Sequence, residues 1–168
     1  MNQTYDHKRY EPEWYQFWLD EDLFSSEPDS AKEPFVILMP PPNVTSQLHM
    51  GHGTGYSFQD LLIRWKRMSG YDACWLPGTD HAGIATQMMV ERSLLESGET
   101  RQELGRDKFF ERCEQWRTKY GEIILEQFRK LGFSCDWDRV AYTMDQNLSM
   151  AVRHVFIQLF EEGLIYRG

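Results

Sequence analysis

Residues 33–56 read EPFVILMPPPNVTSQLHMGHGTGY and join three different patterns in one short stretch. The apolar run from Phe35 to Met39 predicts a strand that is buried on both faces, because it has no polar alternation. The prolines at 40–42 can neither donate ladder hydrogen bonds nor continue a helix, so the strand must end there. The residues that follow predict a helix from near His49 to Gly70. A buried strand, a turn and a helix make up half of a βαβ unit.

A second strand completes this unit. Residues 71–76, YDACWL, are apolar for the most part and are bounded by Gly70 and Gly78, which predicts a short buried strand. A strand, a helix and a strand of these lengths imply parallel pairing with a right-handed crossover. The predicted fold class is therefore doubly wound α/β.

Asp80 follows the second predicted strand and precedes a predicted helix at about 82–97. Ligands in open α/β sheets bind outside the carboxyl ends of the strands. We therefore expect residues 40–52 and 78–87 to open onto the same crevice.

Apolar periodicity predicts the remaining elements. We expect helices at 11–20, 100–132 and 145–162, a turn and short strand at 136–143, and the beginning of a strand at 163–168. The helix at 100–132 should carry an apolar core stripe, formed by Leu104, Phe109, Phe110, Cys113, Trp116, Tyr120, Ile123, Ile124, Phe128 and Leu131. The first helix has a heavy aromatic face and should pack on the main body as a lid or clasp. The helix at 145–162 should turn an apolar face inward, formed by Val152, Val155, Phe156, Leu159 and Phe160.

Composition limits the class of protein. The chain has 168 residues, of which 41% are hydrophobic and 14% aromatic, and this is enough for one globular domain with a sizeable core. A formal net charge of −8 argues against non-specific nucleic-acid binding, which depends on Lys and Arg neutralising phosphates. We see neither an export signal nor a membrane span and expect a cytoplasmic protein. The three cysteines, Cys74, Cys113 and Cys135, are too widely spaced for a zinc knuckle and are expected to be buried reduced thiols.

His49 and His52 lie three residues apart at the start of the predicted helix. Both imidazoles should therefore lie on one face, beside the free backbone N–H groups of the first turn. Such a helix N-terminus favours phosphate, and Gly51 lets a flat ring approach the backbone. A nucleoside triphosphate fits these features. In the alternative interpretation, the two histidines are partly buried structural residues.

Two other kinds of site are less consistent with the spacing. The glycines in GHGTG at 51–55 follow a GxGxG pattern far from the strand, unlike a dinucleotide-binding turn. A zinc site from His49, His52, Asp80 and His81 has allowed ligand types, but no HExxH pattern accompanies them.

Two motifs carry a resemblance to a known family. LHMGH at 48–52 looks like the HIGH motif of class I aminoacyl-tRNA synthetases, and PPPNVT at 40–45 resembles the valyl enzymes in particular. WLPGTDHAGIATQ at 75–87 is similar to the valyl pattern again, whereas isoleucyl and leucyl relatives are closer to GWDTHGLPIE and GWDAFGLPAE. The resemblance covers essentially the whole chain from Tyr10.

The resemblance implies an ATP site, with Mg²⁺ accompanying the nucleotide. The implied catalytic residues are His49 and His52, which would contact the phosphates and stabilise the charge that develops at the α-phosphorus. The implied ATP-binding residues are Thr45, His49, Gly51, His52 and Gly53.

The implied amino-acid-binding residues are Pro40, Asn43 and Asp80. The Asp80 carboxylate would bind the ammonium group of valine, and Pro40 would form part of a small apolar pocket. From the bare sequence, the alternative for Asp80 is a helix N-cap before Ala82.

Some positions depart from the family pattern. Ser46 stands where the family usually has glycine, and a turn with positive φ would strain a serine there. Gly53 and Gly55 replace better helix formers. KRMS at 66–69 resembles part of the KMSKS motif, but we interpret it as a solvated basic helix end, because it closes a helix.

The resemblance also implies the domain organisation. Residues 1–32 would form an N-terminal helical extension, and residues 33–168 the first half of a Rossmann-like nucleotide-binding domain, ending near the start of the editing insertion. The expected function is that of the N-terminal fragment of a ligase that activates valine with ATP and charges tRNA(Val). Contacts with the tRNA would lie mainly in parts absent here, and the remainder of the synthetase would be a partner if the enzyme is split. The alternatives are a non-catalytic nucleotide-binding module or paralogue, and a ligase of the isoleucyl or leucyl type.

Overall fold

The computed structural model describes residues 4–168 of the chain. The helices are α1 (His7–Asp20), α2 (Met50–Met68), α3 (Ile84–Glu96), α4 (Arg101–Leu104), α5 (Arg106–Lys130) and α6 (Gln146–Glu161). The strands are β1 (Pro34–Leu38), β2 (Asp72–Leu76), β3 (Gly78–Thr79) and β4 (Ala141–Tyr142), and a 3₁₀ turn lies at Trp137–Arg139.

The predicted βαβ unit is present. Strand β1 pairs with β2 in parallel, from Pro34 opposite Asp72 to Leu38 opposite Leu76, and α2 connects the two strands. A second parallel pair joins β3 to β4. Between these two pairs, an isolated parallel bridge links Asn43 to Asp80. The mixed α/β class with parallel strands is therefore confirmed.

The prediction that the first strand is buried on both faces was wrong for β1. Val36 and Leu38 are 58% and 74% exposed, whereas Phe35 and Ile37, which alternate with them, pack against the core. Alternate side chains of a strand point to opposite faces, and no described element covers the face that carries Val36. Opposite Val36 on β2, Cys74 is buried, and its Sγ accepts a hydrogen bond from Arg139 Nη1 at 3.6 Å.

The main core lies between the first strand pair, α2 and α5. Its largest fully buried side chains include Trp75, Phe128, Phe133, Met39, Ile63 and Ile124. The indole N–H of Trp75 donates to Gln59 Oε1 at 3.1 Å, so its polar atom is satisfied inside the core. Most of the predicted core stripe on 100–132 is buried or half-buried, but Phe110 and Leu131 are 58% and 51% exposed. The predicted helix is divided at Gly105, which has a φ of +74°.

The basic end of α2 is not solvated as predicted. The Arg67 guanidinium turns into the protein and donates from Nη2 to the carbonyls of Phe24, Ala73 and Ser134 at 3.2–3.4 Å. Burial lowers the pKa of Arg67 relative to an exposed guanidinium. Carbonyl dipoles from three segments satisfy this cation, which a count of charged residues in the sequence could not reveal.

Two predictions for the C-terminal region were also wrong. The apolar face of α6 does not turn inward: Phe156 and Phe160 are 57% and 61% exposed, and Val152 and Val155 are exposed as well. Only Leu159 of the five predicted inward side chains is half-buried. Residues 163–168 form no strand. Helix α6 has the predicted apolar face, but no described element packs against this face.

The N-terminal helix packs on the main body, as expected of a clasp. The Tyr15 hydroxyl donates to the Phe133 carbonyl at 2.8 Å and accepts from the Trp137 indole at 2.9 Å. The Arg64 guanidinium lies 5.1 Å from the ring centre of Trp18. Residues 1–3 of the predicted extension lie outside the described residues.

The cysteines largely match the expectation. All three are free thiols, with Cys74 and Cys135 buried and Cys113 half-buried.

Among residues 4–168, no helix has both the length and the apolar character needed to cross a membrane.

Candidate active site

The two histidines at the start of α2 cap the helix with each other. His52 N–H donates to His49 Nδ1 at 3.4 Å, and His49 N–H donates to His52 Nδ1 at 3.3 Å. The rings stack with their centres 3.8 Å apart and their planes 23° apart. Because each Nδ1 accepts a hydrogen bond, each neutral ring carries its proton on Nε2. The prediction that both rings lie on one face is confirmed.

This reciprocal cap changes the prediction that the imidazoles lie beside free N–H groups. The N–H groups of His49 and His52 are already occupied by imidazole nitrogens. The donors that remain on the rings are the Nε2–H groups, and these are the atoms that can reach an anion. A role of His49 and His52 in ATP binding stays a prediction.

The fold requires glycine at some of positions 51, 53 and 55 but not at others. A Cβ at position 51 would lie 3.0 Å from Cε1 of His49, so the flat ring that approaches Gly51 is that of His49. Added Cβ atoms at Gly53 and Gly55 would meet nothing within 4 Å, so protein packing does not require either glycine. Ser46 is not among the non-glycine residues with positive φ, and the strain considered for it is absent. Thr45 is half-buried in the turn after the bridge.

The two stretches expected to share a crevice do meet. Asp80 N–H donates to the Pro42 carbonyl at 2.8 Å, and Val44 N–H donates to the Asp80 carbonyl at 2.9 Å. Asn43 and Asp80 are thereby paired. Pro40 is exposed, and its carbonyl accepts the Tyr56 hydroxyl at 2.8 Å. The backbone therefore brings the predicted amino-acid-binding residues Asn43 and Asp80 together.

Asp80 is not a helix N-cap. Helix α3 begins at Ile84 after Gly83, which makes no side-chain cap, whereas Asp80 Oδ1 accepts the Ala82 N–H inside the turn at 80–83. Ala82 has a φ of +53° and Gly83 a φ of +49°. A left-handed alanine costs about 1 kcal/mol, so neighbouring contacts must hold this turn.

Helix α5 and the first turns of α2 hold the loop that carries the site, and sequence reasoning missed this. Gln127 Oε1 accepts the Leu48 N–H at 2.9 Å, and the Trp116 indole donates to the Val44 carbonyl at 3.0 Å. Burial raises the pKa of Tyr56 to about 12, so its hydroxyl stays a donor to Pro40. Trp116 belongs to the predicted apolar stripe, and that periodicity gave no sign of a polar contact with residue 44.

A cavity lies to one side of these residues. It has a volume of about 900 Å³ and is bordered by His81, Thr86 and Gln87 from the second stretch and by Arg101, Phe109 and Arg117 from α4 and α5. No described residue between 40 and 52 lines it. We place the candidate chemistry at the paired stretches, because the histidine pair and Asp80 lie there. The shared crevice is therefore confirmed for the backbone pairing but not for this cavity.

The zinc alternative is not supported. Within the described part of the chain, no group of three His, Cys, Asp or Glu residues could hold a metal ion. His81 Nδ1 lies 3.6 Å from Asp80 Oδ1, but its closer partner is the hydroxyl of Thr143 at 2.6 Å.

Acid is expected to loosen the histidine cap. Burial and the neighbouring His49 lower the pKa of His52. The unfolded chain therefore binds more protons than the folded chain below the ordinary imidazole pKa of about 6.5, and the free energy of unfolding should fall as the pH drops through this value. Urea unfolding of the wild type and of His52→Gln between pH 7.5 and 5 checks this, because glutamine keeps the N3 capping geometry without titrating. Parallel pH profiles of the two proteins would contradict the expectation.

Comparisons with known proteins point to one family. Residues 13–168 match the family model described as tRNA synthetases class I (I, L, M and V). The valine–tRNA ligase of Thermus thermophilus is 56% identical over 168 residues, all of this chain and 19% of that protein. The valine–tRNA ligase of Syntrophotalea carbinolica is 54% identical over 165 residues, 95% of this chain and 18% of that protein. The chain thus spans about a fifth of the length of these curated relatives.

A solved structure shows the same fold. A ternary complex of LeuRS from Agrobacterium radiobacter K84 with tRNA and LeuAMS superposes with a TM-score of 0.81 and 24% identity. The match covers 98% of this chain and 19% of that one.

Proposed function

The chain belongs to the class I tRNA synthetase family, and on that premise we propose that it is the N-terminal part of a valine–tRNA ligase. The proposed reaction joins valine to ATP, giving valyl-adenylate and pyrophosphate, and then transfers valine to tRNA(Val). The observation that carries the proposal is the Asn43–Asp80 bridge, which joins the histidine loop to a carboxylate. The high identity to valine–tRNA ligases favours the valyl over the isoleucyl or leucyl type.

In the proposed activation step, the valine carboxylate attacks the α-phosphorus of ATP. His49 and His52 donate Nε2–H hydrogen bonds to phosphate oxygens and stabilise the developing charge. Their Nδ1 atoms are engaged in the reciprocal cap, which fixes the tautomers and the ring orientation before ATP arrives. Thr45, Gly51 and Gly53 complete the proposed ATP site.

At the amino-acid end of the proposed site, the Asp80 carboxylate binds the substrate ammonium. Asn43 lies opposite Asp80 in the bridge, and Pro40 supplies an exposed apolar edge. A small apolar pocket separates valine from isosteres poorly, so the proposal implies editing elsewhere in the full protein.

Mg²⁺ would accompany the nucleotide. Because the described residues offer no cluster of three acidic, histidine or cysteine ligands, the ion would be held chiefly by the phosphates. We also propose the cytoplasm as the compartment, in agreement with the sequence-based expectation.

The proposal includes dependence on the rest of the synthetase. The exposed apolar faces of α6 and β1 have no partner among the described residues, and the chain spans only 19% of its Thermus relative. A site that lacks part of its substrate-binding surface and part of its hydrogen-bond donors cannot by itself lower the free-energy barrier for adenylation.

ATP–pyrophosphate exchange with valine tests this function. We expect no exchange above background from the chain alone and clear exchange when the remaining part of the synthetase is supplied in trans or in one chain. Leucine and isoleucine serve as the amino-acid controls. Strong exchange by the chain alone would contradict the dependence, and no exchange in either arrangement would favour the non-catalytic nucleotide-binding module.

A further inference from the structure

His81, which follows the proposed substrate carboxylate, is held at its backbone N–H, its carbonyl and its ring Nδ1. Its N–H donates to Thr143 Oγ1 at 3.0 Å, and its Nδ1 meets the same oxygen at 2.6 Å. Its carbonyl accepts the hydroxyl of the buried Thr86 at 2.7 Å. Thr143 supplies two of these three contacts, although it lies 62 residues further along the chain.

Strand β4 brings Thr143 to this position. Gly78 and Thr79 pair in parallel with Ala141 and Tyr142, and Thr143 N–H donates to the Thr79 carbonyl at 3.2 Å. A Cβ at Gly78 would lie 2.7 Å from the Ala141 carbonyl oxygen. The two backbones therefore approach so closely that only glycine fits at position 78. This close approach puts the Thr143 hydroxyl within hydrogen-bonding distance of His81.

The residues on either side of His81 need such support. Asp80 is fixed on one side by backbone hydrogen bonds to Pro42 and Val44. On the other side, Ala82 and Gly83 both have positive φ, and Asp80 Oδ1 accepts the Ala82 N–H. A strained turn of this kind relaxes unless the surrounding contacts determine its conformation.

We propose that Thr143 is a positioning residue for the Asp80 carboxylate. The Thr143 hydroxyl fixes the position of His81 by hydrogen bonding. His81 in turn holds the turn at 80–83 in the conformation that presents Asp80 to the substrate ammonium. This role rests on the proposed function, in which Asp80 binds that group. Thr143 itself touches neither valine nor ATP in this arrangement, so its effect should appear at the amino-acid end of the reaction.

Three variants of the full-length synthetase that carries this chain test the role. Thr143→Val keeps the shape of the side chain and removes the hydroxyl, whereas Thr143→Ser keeps the hydroxyl. Thr118→Val is the matched control, because the Thr118 hydroxyl on α5 bonds, among residues 4–168, only to the Glu114 carbonyl of its own helix.

In pyrophosphate exchange, Thr143→Val should raise the KM for valine about tenfold, the effect of losing about 1.4 kcal/mol of hydrogen bonding. The KM for ATP and kcat should change less than about twofold, because uniform binding of one substrate is what is lost. Thr143→Ser should stay close to the wild type. An unchanged KM for valine, an equal rise in the KM for ATP, or a serine variant as weak as the valine variant would overturn the proposal.

Amide hydrogen exchange of the chain gives a second readout that needs no activity. The His81 amide should exchange about tenfold faster in Thr143→Val, since its acceptor is gone. Unchanged exchange of the His81 amide would contradict the positioning role of Thr143 without contradicting the proposed function. If the wild-type synthetase shows no valine-dependent pyrophosphate exchange, the proposed function fails, and the assignment of Asp80 fails with it.

Discussion

Asp80→Asn is expected to lower kcat/KM for valine in pyrophosphate exchange by about 100-fold, because truncating one partner of a charged hydrogen-bonded pair costs about 2–5 kcal/mol. Asparagine keeps an Oδ1 acceptor for the Ala82 N–H, so the turn at 80–83 is preserved and only the charge is removed. The loss should therefore appear with valine and leave the KM for ATP nearly unchanged.

The assay for this variant uses the full-length synthetase with saturating ATP and varied valine. Asp138→Asn is the control, because Asp138 is an exposed acid on the 3₁₀ turn. If Asp80→Asn binds valine as well as the wild type does, Asp80 is not the ammonium partner, and the amino-acid end of the proposed site must lie elsewhere.

Arg67→Met should lower the free energy of unfolding by about 3 kcal/mol, since it leaves buried acceptors without a donor, each at a cost of about 1–3 kcal/mol. The carbonyls of Phe24, Ala73 and Ser134 come from the connector before β1, from β2 and from the segment after α5. One guanidinium therefore bonds to three separate segments of the chain.

Urea unfolding of the 168-residue chain measures this effect. Arg153→Met is the control, because Arg153 is exposed on α6 and a surface substitution of this kind usually changes stability by less than about 0.5 kcal/mol. Arg67→Lys should recover only part of the loss, because an ammonium lacks the planar fork of donors that reaches several carbonyls. Equal stability of the two methionine variants would show that the three carbonyls find other donors.

The sequence predicted what depends on local pattern. The apolar run before Pro40, the helix that begins at His49 and the second strand before Gly78 each follow from rules that act over a few residues. Parallel pairing then follows from the length of the connection. For this reason the βαβ unit and the approach of Asn43 to Asp80 could be anticipated.

The sequence could not predict contacts between distant segments. The spacing of His49 and His52 placed both rings on one face, but their mutual capping depends on side-chain rotamers. Arg67 looked like a solvated base because its acceptors are backbone carbonyls, which every sequence contains. Thr143 gave no signal at all, since its relation to His81 exists only after β3 and β4 have paired.

Burial was the least predictable property. Periodicity indicated the apolar face of α6, and the uninterrupted apolar run of β1 predicted burial on both faces, yet whether such a face is covered depends on what packs against it. Val36 and Phe156 are exposed because no described element reaches them. An amphipathic pattern predicts that a face should be covered but does not identify the partner.

These uncovered faces matter during synthesis of the protein. If the chain is the first fifth of a ligase as long as its relatives, it leaves the ribosome well before the remaining four-fifths, which at about 5–20 residues per second takes tens of seconds or more. During that time Phe156 and Phe160 on α6 are exposed to solvent. On that premise, the nascent chain would expose an apolar helical face, of the kind that promotes aggregation and that chaperones bind, until later segments cover it.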